Sequence, residues 1–299
     1  EAAGVAHRLC GMAGGDQGLG RHAAVVQAVA AHLAAFDQHD YGVRVQLESG
    51  ATRDFDLVIG ADGLHSNVRR LRYGGEGDPE VDLGYRVAAF TVDGYRPRDE
   101  LVYAGYSRPA QLVMRFALRG DRTVFMLVFV APAGQPLPQD RSEQEQMLME
   151  RFGDAGWECP AILDAMRAAD DLYLDRVSQI RMRRWSAGRT ALVGDAAYCP
   201  SLLAGQGSAF AILGAYVLAG ELARADGDHR VAFGKYEDRL RAFIDQKQDP
   251  AARFAGAFAP RTRIGLHFRN VVTRLMRIPA VADLAVGRDL RDEIEVPGY

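Results

Sequence analysis

The segment from Trp185 to Leu222, WSAGRTALVGDAAYCPSLLAGQGSAFAILGAYVLAGEL, constrains the fold more than any other part of the chain. Thr190 to Val193 is a short apolar run with β-branched residues, and it reads as a buried strand. Gly194-Asp195 follows at once, then a small-residue loop, then Gln206 between two glycines, then an apolar helical pattern from Ser208 to Ala223. The order is strand, turn, loop, helix. A carboxylate at the end of a buried strand can accept hydrogen bonds from a ribose or ribityl hydroxyl. Gly205 and Gly207 let bare backbone N–H groups approach a ligand where a helix begins and its dipole favours an electron-rich group.

A second stretch, Asp56 to Arg69, reads DLVIGADGLHSNVR: an apolar strand at Leu57 to Ile59, then Gly60, Asp62-Gly63, Ser66 and Arg69. The two stretches, about 130 residues apart with a strand-rich segment between them, together resemble the flavin-contacting motifs of the class A flavoprotein monooxygenases, the p-hydroxybenzoate hydroxylase-like family. The resemblance covers Val43 to roughly Asn270. It implies that FAD is held by Gly194, Asp195, Pro200, Gly205, Gln206, Gly207 and Ser208. It further implies that Asp62 and Gly63 help to hold the dinucleotide and shape the path of the nicotinamide cofactor, NAD(P)H. Arg21, near the start of a predicted helix, is by position the arginine that lies against the flavin in the family.

Size and charge fit an ordinary enzyme. A chain of 299 residues that is 48% hydrophobic can bury a large core in one or two domains. The net charge of −3 gives no nucleic-acid footprint. Cys10, Cys159 and Cys199 are an odd number without metal-ligand spacing, which points to reduced thiols and a cytoplasmic protein, and the seven histidines form no metal spacing either. No apolar run approaches membrane-spanning length, and no secretory signal is visible.

The resembled family opens with a strand, a GxGxxG turn and a helix. Gly14, Gly15, Gly18 and Gly20 form a glycine patch with other spacing and no apolar strand before it, so residues 11–20 read as an exposed loop. The chain, which begins at Glu1, is therefore expected to lack the family's N-terminal portion and to close over omitted segments. Residues 21–36 are alanine-rich, with Val25, Val29, Leu33 and Phe36 at helical spacing, and predict a helix. Asp37 to Gly42 reads as a polar turn. Val43, Val45 and Leu47 then alternate and lead through Glu48-Ser49-Gly50 into the motif strand as a hairpin. The family's additional strand has no room here, so a gap is expected near residues 36–40.

From Leu83 to Ile180 the pattern is one of strands: GYRVAAFTV, ELVYAGYS, AQLVMRFAL, RTVFMLVFVA and a return from Tyr173 to Ile180. Two helices interrupt them, Ser142 to Phe152, with a Ser142–Glu145 capping box, and Pro160 to Ala169. By the resemblance this antiparallel sheet roofs the flavin, and Met114, Phe116, Phe125, Met126 and Phe129 are candidates to contact substrate. Helices are expected at Phe233 to Gln246 and Ile264 to Met276. The latter comes with arginines at 269, 274 and 277. A basic amphipathic helix can bind anionic membranes, but Asp283, Asp289, Asp292, Glu293 and Glu295 nearby argue for a solvated face, so no membrane partner is expected.

The fold class is thus α/β: a Rossmann-like three-layer FAD/NAD(P)-binding domain from residues 1–80 and 181–250, an antiparallel sheet domain over 81–180, and a helical segment over 251–299. The chemistry implied by the resemblance is flavin-borne, with NAD(P)H reducing the flavin and a C4a-hydroperoxide delivering one oxygen from O2 to an electron-rich aromatic or polyketide-like small molecule. His65 reads as a loop residue beside the dinucleotide. The chain departs from the family pattern at Tyr198, where histidine is common, and at Ser201 and Leu202, where proline is usual. It also departs at Ala209 and Gly214, in place of asparagine and aspartate. A flavin oxidoreductase that inserts no oxygen, and a non-enzymatic member that keeps only the fold, stand as alternatives.

Overall fold

The structure is a computed structural model that describes residues 33–75, 77, 79–100, 102–275, 294–295 and 297–299. The glycine patch, Arg21 and the helix expected from residue 21 to 32 lie outside the described residues.

The first described element corrects the sequence reading. Leu33–His39 is a strand, β1, although its alanines favour helix. It is antiparallel to β2 (Gly42–Leu47), with Phe36 opposite Val45 and His39 opposite Gly42. Ladder pairing on a half-buried surface outweighs an intrinsic preference of a few tenths of a kcal/mol per residue. β1 leads straight into β2 through the two-residue turn Asp40-Tyr41, so residues 36–40, where a gap was expected, form a strand end and a tight turn. The hairpin return is also not the motif strand. β2 pairs with β3 (Thr52–Phe55), and the motif strand β4 (Val58–Gly60) belongs to a different sheet.

That second sheet has the order β10 (Ser186–Ala187), β11 (Thr190–Leu192), β4. β11 and β4 are parallel, with Leu192 opposite Gly60. After β4 come a loop and helix α1 (Asn67–Tyr73), whose N-cap is Ser66. β5 (Glu80–Asp93), β6 (Tyr103–Arg108), β7 (Gln111–Ala117), β8 (Arg122–Val130) and β9 (Tyr173–Ile180) form an antiparallel sheet ordered β6-β7-β8-β5-β9.

Side-chain alternation divides this sheet into two faces. Ala88, Phe90, Val113, Phe125, Leu127 and Phe129 pack with Leu148, Phe152, Ile162, Leu163 and Met166 of helices α2 (Arg141–Phe152) and α3 (Cys159–Ala168). Tyr85, Val87, Leu112, Val128 and Val177 face the other way and meet Leu203 and Ala259, with Met114 and Met126 packed beside them. Phe125 and Phe129, expected as candidates to contact substrate, are instead under the helices, on the face turned away from Leu203. The α2 capping box is likewise not formed, because the helix starts one residue earlier and Asp140 is its N-cap.

After β11 come the short helix α4 (Asp195–Tyr198), a 3-10 turn (Leu202–Ala204) and α5 (Gly207–Arg224). The longer α6 (His229–Phe258) starts earlier and ends later than its sequence pattern predicts, and continues through Pro250. A final described helix is α7 (Arg263–Leu275). Val58, Val68, Trp185, Leu192, Phe210, Val217, Tyr236, Leu240 and Ile244 share one core, which fixes β4, β11 and α1 against α5 and α6.

Candidate active site

Both motif loops leave the carboxyl ends of neighbouring parallel strands. That is the position at which open α/β sheets bind ligands, and it explains how stretches about 130 residues apart can form one site. Val193 N–H donates to the Gly60 carbonyl at 2.9 Å, extending the pairing to the ends of the strands. Close packing requires glycine here: a Cβ on Gly60 would stand 2.5 Å from Leu192 Cδ2 and 2.8 Å from Val68 Cβ.

In the first loop the Asp62 carboxylate holds the backbone. It accepts from the Ser66 hydroxyl and from Val68 N–H at 3.0 Å, while Ser66 Oγ accepts from Arg69 N–H at 3.0 Å. Gly63 has φ +80°, which lets the chain turn back into this cap. Arg69 is buried and reaches across the sheet, donating to the Ala196 carbonyl at 2.9 Å and to the Leu64 carbonyl at 2.6 Å. Sequence reading noted Arg69 as part of the motif. Its bond to the second loop becomes visible only when β4 and β11 are adjacent.

The second loop is held differently. Gly194 is the N-cap of α4 at φ 65° and ψ −140°, and a Cβ there would meet Ala211 Cβ at 2.9 Å. Asp195 is half-buried, and burial raises its carboxyl above the ordinary aspartate range, opposed by the Cys199 thiol. Its Oδ1 lies 3.2 Å from the position a Cβ would take on Gly207, so a side chain at 207 would crowd the carboxylate. Gly205 is left-handed at φ 69°, with open space on the side where a Cβ would point. Gln206 is the N-cap of α5, and the N–H groups of Gly207 and Ser208 belong to the first turn, which has no intrahelical partners for them. The loop thus brings an acceptor beside a helix N-terminus whose first residue, Gly207, carries no side chain.

Between these points the chain is pinned from below. Pro200 is buried, and its carbonyl accepts from Gln179 Nε2 at 2.8 Å. Gln179 also donates to the Gln248 carbonyl at 2.7 Å, while Gln248 Nε2 donates to the carbonyls of Ile180 and Cys199. Ser201 has φ 124° and its hydroxyl accepts from Leu203 N–H at 3.2 Å. Pro200 therefore sets the loop path through its carbonyl. Tyr198 and Gly214, two departures from the family pattern, are in direct contact: the Tyr198 hydroxyl occupies the space a Cβ on Gly214 would need. Tyr198 is fully buried, 4.5 Å from the Trp185 ring, and its hydroxyl meets that of Tyr236 at 3.2 Å. The tyrosine at 198 thus fits only because residue 214 has no side chain. A cavity of about 170 Å³ beside Trp185, Tyr198 and Arg241 is lined by none of the glycines or carboxylates of the two motifs.

One cluster was missed by sequence reading. On β9, Tyr173 and Asp175 share the face of Val177, and the buried Asp175 carboxylate accepts from the Tyr173 hydroxyl at 2.6 Å and contacts His65 Nε2 at 2.6 Å. The Tyr173 phenol is raised above its ordinary value by burial first and then by Asp175, with smaller contributions from Cys199 and Asp195. His65 thus joins the first loop to the sheet. An acidic residue at an inward position of an alternating strand was the available signal. The Cys199 thiol is pushed up to about 12 by burial and by Asp195, so it stays protonated at neutral pH. Among the described residues no group of His, Cys, Asp and Glu could hold a metal ion.

The family model described as FAD binding domain matches residues 21–242. A flavin-dependent monooxygenase from an unknown prokaryotic organism is 37% identical over 212 residues, covering 71% of this chain and 55% of the relative. An uncharacterized protein of Mycobacterium tuberculosis is 42% identical over 206 residues, covering 69% and 55%. The chain thus spans about half the length of the curated relatives it matches. The crystal structure of the tetracycline destructase Tet(51) is similar with a TM-score of 0.75 and 30% identity, covering 89% of this chain and 68% of that one.

Proposed function

Because the chain belongs to the FAD-binding domain family of class A flavoprotein monooxygenases, we propose that the whole protein is an NAD(P)H-using monooxygenase that hydroxylates an aromatic or polyketide-like small molecule. The observation that carries this reading is the convergence of the two motif loops at the ends of β4 and β11, with Asp195 and the start of α5 side by side. The residues present suit a flavin. Asp195 offers an acceptor for a ribityl hydroxyl, and its half-buried carboxylate gains a partner when it does so. The N–H groups of Gly207 and Ser208, at the start of α5, would donate to the electron-rich N1/O2 edge of the ring, where negative charge collects on reduction. Asp62 and Gly63 shape the loop that would lie beside the dinucleotide, and Gly194, Gly205 and Gln206 set the backbone that would approach it.

Bound FAD, once reduced by NAD(P)H, supplies the activation of O2 and the transfer of one oxygen atom. The protein contributes position and a dry wall. The sheet face bearing Met114, Met126 and Val128 turns toward Leu203, at the loop between Asp195 and Gly205. An apolar roof of this kind excludes water and accepts a flat ring. The likeness to a tetracycline destructase supports a fused polyketide ring system as the substrate class.

The test is the visible spectrum of the purified protein, followed anaerobically on addition of NADPH with and without tetracycline or simple phenols. A flavin spectrum that bleaches faster with one of these ligands, and product carrying 18O from labelled O2, is the expected result. A colourless protein that takes up no added FAD would overturn the reading. Flavin reduction that yields an oxidised product without 18O would replace it with dehydrogenation.

A further inference from the structure

The last described helix carries an apolar stripe that no described residue covers. On α7, Ile264, Phe268, Val271 and Leu275 follow one another at spacings of four, three and four and so fall on one line along the helix. Ile264 is 84% exposed and Phe268 70% exposed, values at which each aromatic or branched side chain stands almost wholly in water. The opposite side is the seated one. Leu266, Arg269 and Val272 are half-buried, and the approach to the helix is tied down by the Pro260 carbonyl, which accepts from Ala110 N–H at 2.8 Å, and by Arg261 over the Tyr85 ring. The stripe therefore faces outward because the helix is fixed by its other side.

Charge is distributed just as unevenly. Residues 260–275 contain no aspartate or glutamate. Arg263, His267 and Arg274 are exposed and, at 100° per residue, project along one margin of the apolar stripe. A helix with a clean apolar line and arginines along its border is the arrangement that lies in the plane of an anionic bilayer, its apolar side chains among the acyl chains and its arginines at the phosphates. A protein groove would need an acidic rim to match this basic margin, whereas an anionic bilayer supplies phosphates along the whole length of the helix. Sequence reading weighed the basic helix against the acids from Asp283 to Glu295 as a sum. On the helix itself, the apolar and basic residues are ordered without any acid among them. Among the described residues no helix is long and apolar enough to cross a membrane, α7 included.

We propose that α7 is a peripheral membrane-docking helix selective for anionic phospholipid. The helix packs on β6, the edge strand of the large sheet.

The test is co-sedimentation of the full chain with vesicles of phosphatidylglycerol and phosphatidylcholine, and with vesicles of phosphatidylcholine alone. Partition should be at least ~10-fold stronger on the anionic vesicles and should fall severalfold when salt is raised to about 0.5 M. Phe268→Glu should lower it ~10-fold, and the Arg263→Glu/Arg274→Glu pair by a similar factor, with unchanged thermal unfolding because these side chains are exposed. Equal or undetectable partition on both vesicles would overturn the proposal. So would a dimer that Phe268→Glu dissociates without any vesicle binding, which would make the stripe a contact between copies of the chain.

Discussion

Asp62 and Asp195 stand at equivalent places, each just past the end of one of two paired parallel strands, yet their carboxylates do opposite things. Asp62 uses both oxygens on its own loop, one for the Ser66 hydroxyl and one for Val68 N–H. Asp195 spends almost nothing on its surroundings, and burial has already raised its carboxyl. The second loop can leave its carboxylate unspent because Tyr198, three residues on, anchors it in the core against Trp185 and Tyr236. The first loop is held by its own acid, whereas the second is held by a tyrosine, which leaves Asp195 as the carboxylate we propose for the ligand.

The largest effect should come from loosening that anchor. In Gly214→Ala the added methyl coincides with the Tyr198 hydroxyl, so either the ring or α5 must move. Overpacking at a fully buried site should cost about 2–3 kcal/mol, well above the ~1 kcal/mol that alanine gains over glycine in a helix. Tyr198→Phe removes the clashing oxygen and leaves the ring carbon 3.1 Å from the new methyl. The double variant should therefore be more stable than the sum of the two single changes predicts. Urea unfolding of the four proteins measures the coupling, and strict additivity would break the claim that these positions share one space.

The contrast between the loops also marks where sequence reading succeeded. Motif residues were legible because the chemistry of each is local: a glycine with positive φ at 63, 194 or 205, an acid at a strand end, a helix start. The five strands of the large sheet were legible from alternation, to within a few residues at each end. What failed depended on distant partners. Leu33 to His39 looked helical by composition and became a strand because β2 is beside it. Tyr198 and Gly214 looked like two separate departures and turned out to fill one space. Asp175 acquired its importance from His65, 110 positions away, and nothing in either segment names the other. Phe125 and Met126 are neighbours in sequence, and only the seating of α2 and α3 decides that one faces the helices and the other the site.

Next in size is the effect of Asp195 on flavin. Asp195→Ala should weaken FAD retention by roughly 5- to 150-fold, corresponding to about 1–3 kcal/mol for a ligand hydroxyl left without its partner. The flavin-free protein should respond in the opposite sense. A carboxyl raised in the folded state holds its proton to a higher pH than in the unfolded chain, so stability is lost as pH rises from the ordinary aspartate value through the raised one. Above that window the buried charge is a cost. Asp195→Asn should therefore stabilise the apoprotein at pH 7 and flatten its stability profile in the mildly acid range, as read by thermal unfolding of flavin-free samples. A loss of apoprotein stability on this substitution would mean that Asp195, like Asp62, is holding its own loop.

The smallest effect, and the sharpest contrast, belongs to Asp62. Asp62→Ala removes the acceptor for Ser66 and Val68 together and should lower global stability by about 1–2 kcal/mol, whether flavin is present or not, because α1 loses the support of its capping residue. Asp62→Asn keeps one carbonyl oxygen and can accept one of the two bonds, so it should recover about half. The loop would also be freed around Arg69, whose bonds to Leu64 and Ala196 join it to the second motif. Amide exchange should therefore quicken at Val68 and Arg69 and remain slow at Tyr198, whose N–H is held by the Gly194 carbonyl within its own loop. Exchange that quickened equally in both loops would mean that they are one mechanical unit, and that the division between a structural acid and a ligand-binding acid is a matter of degree set by Arg69 rather than by how each loop is anchored.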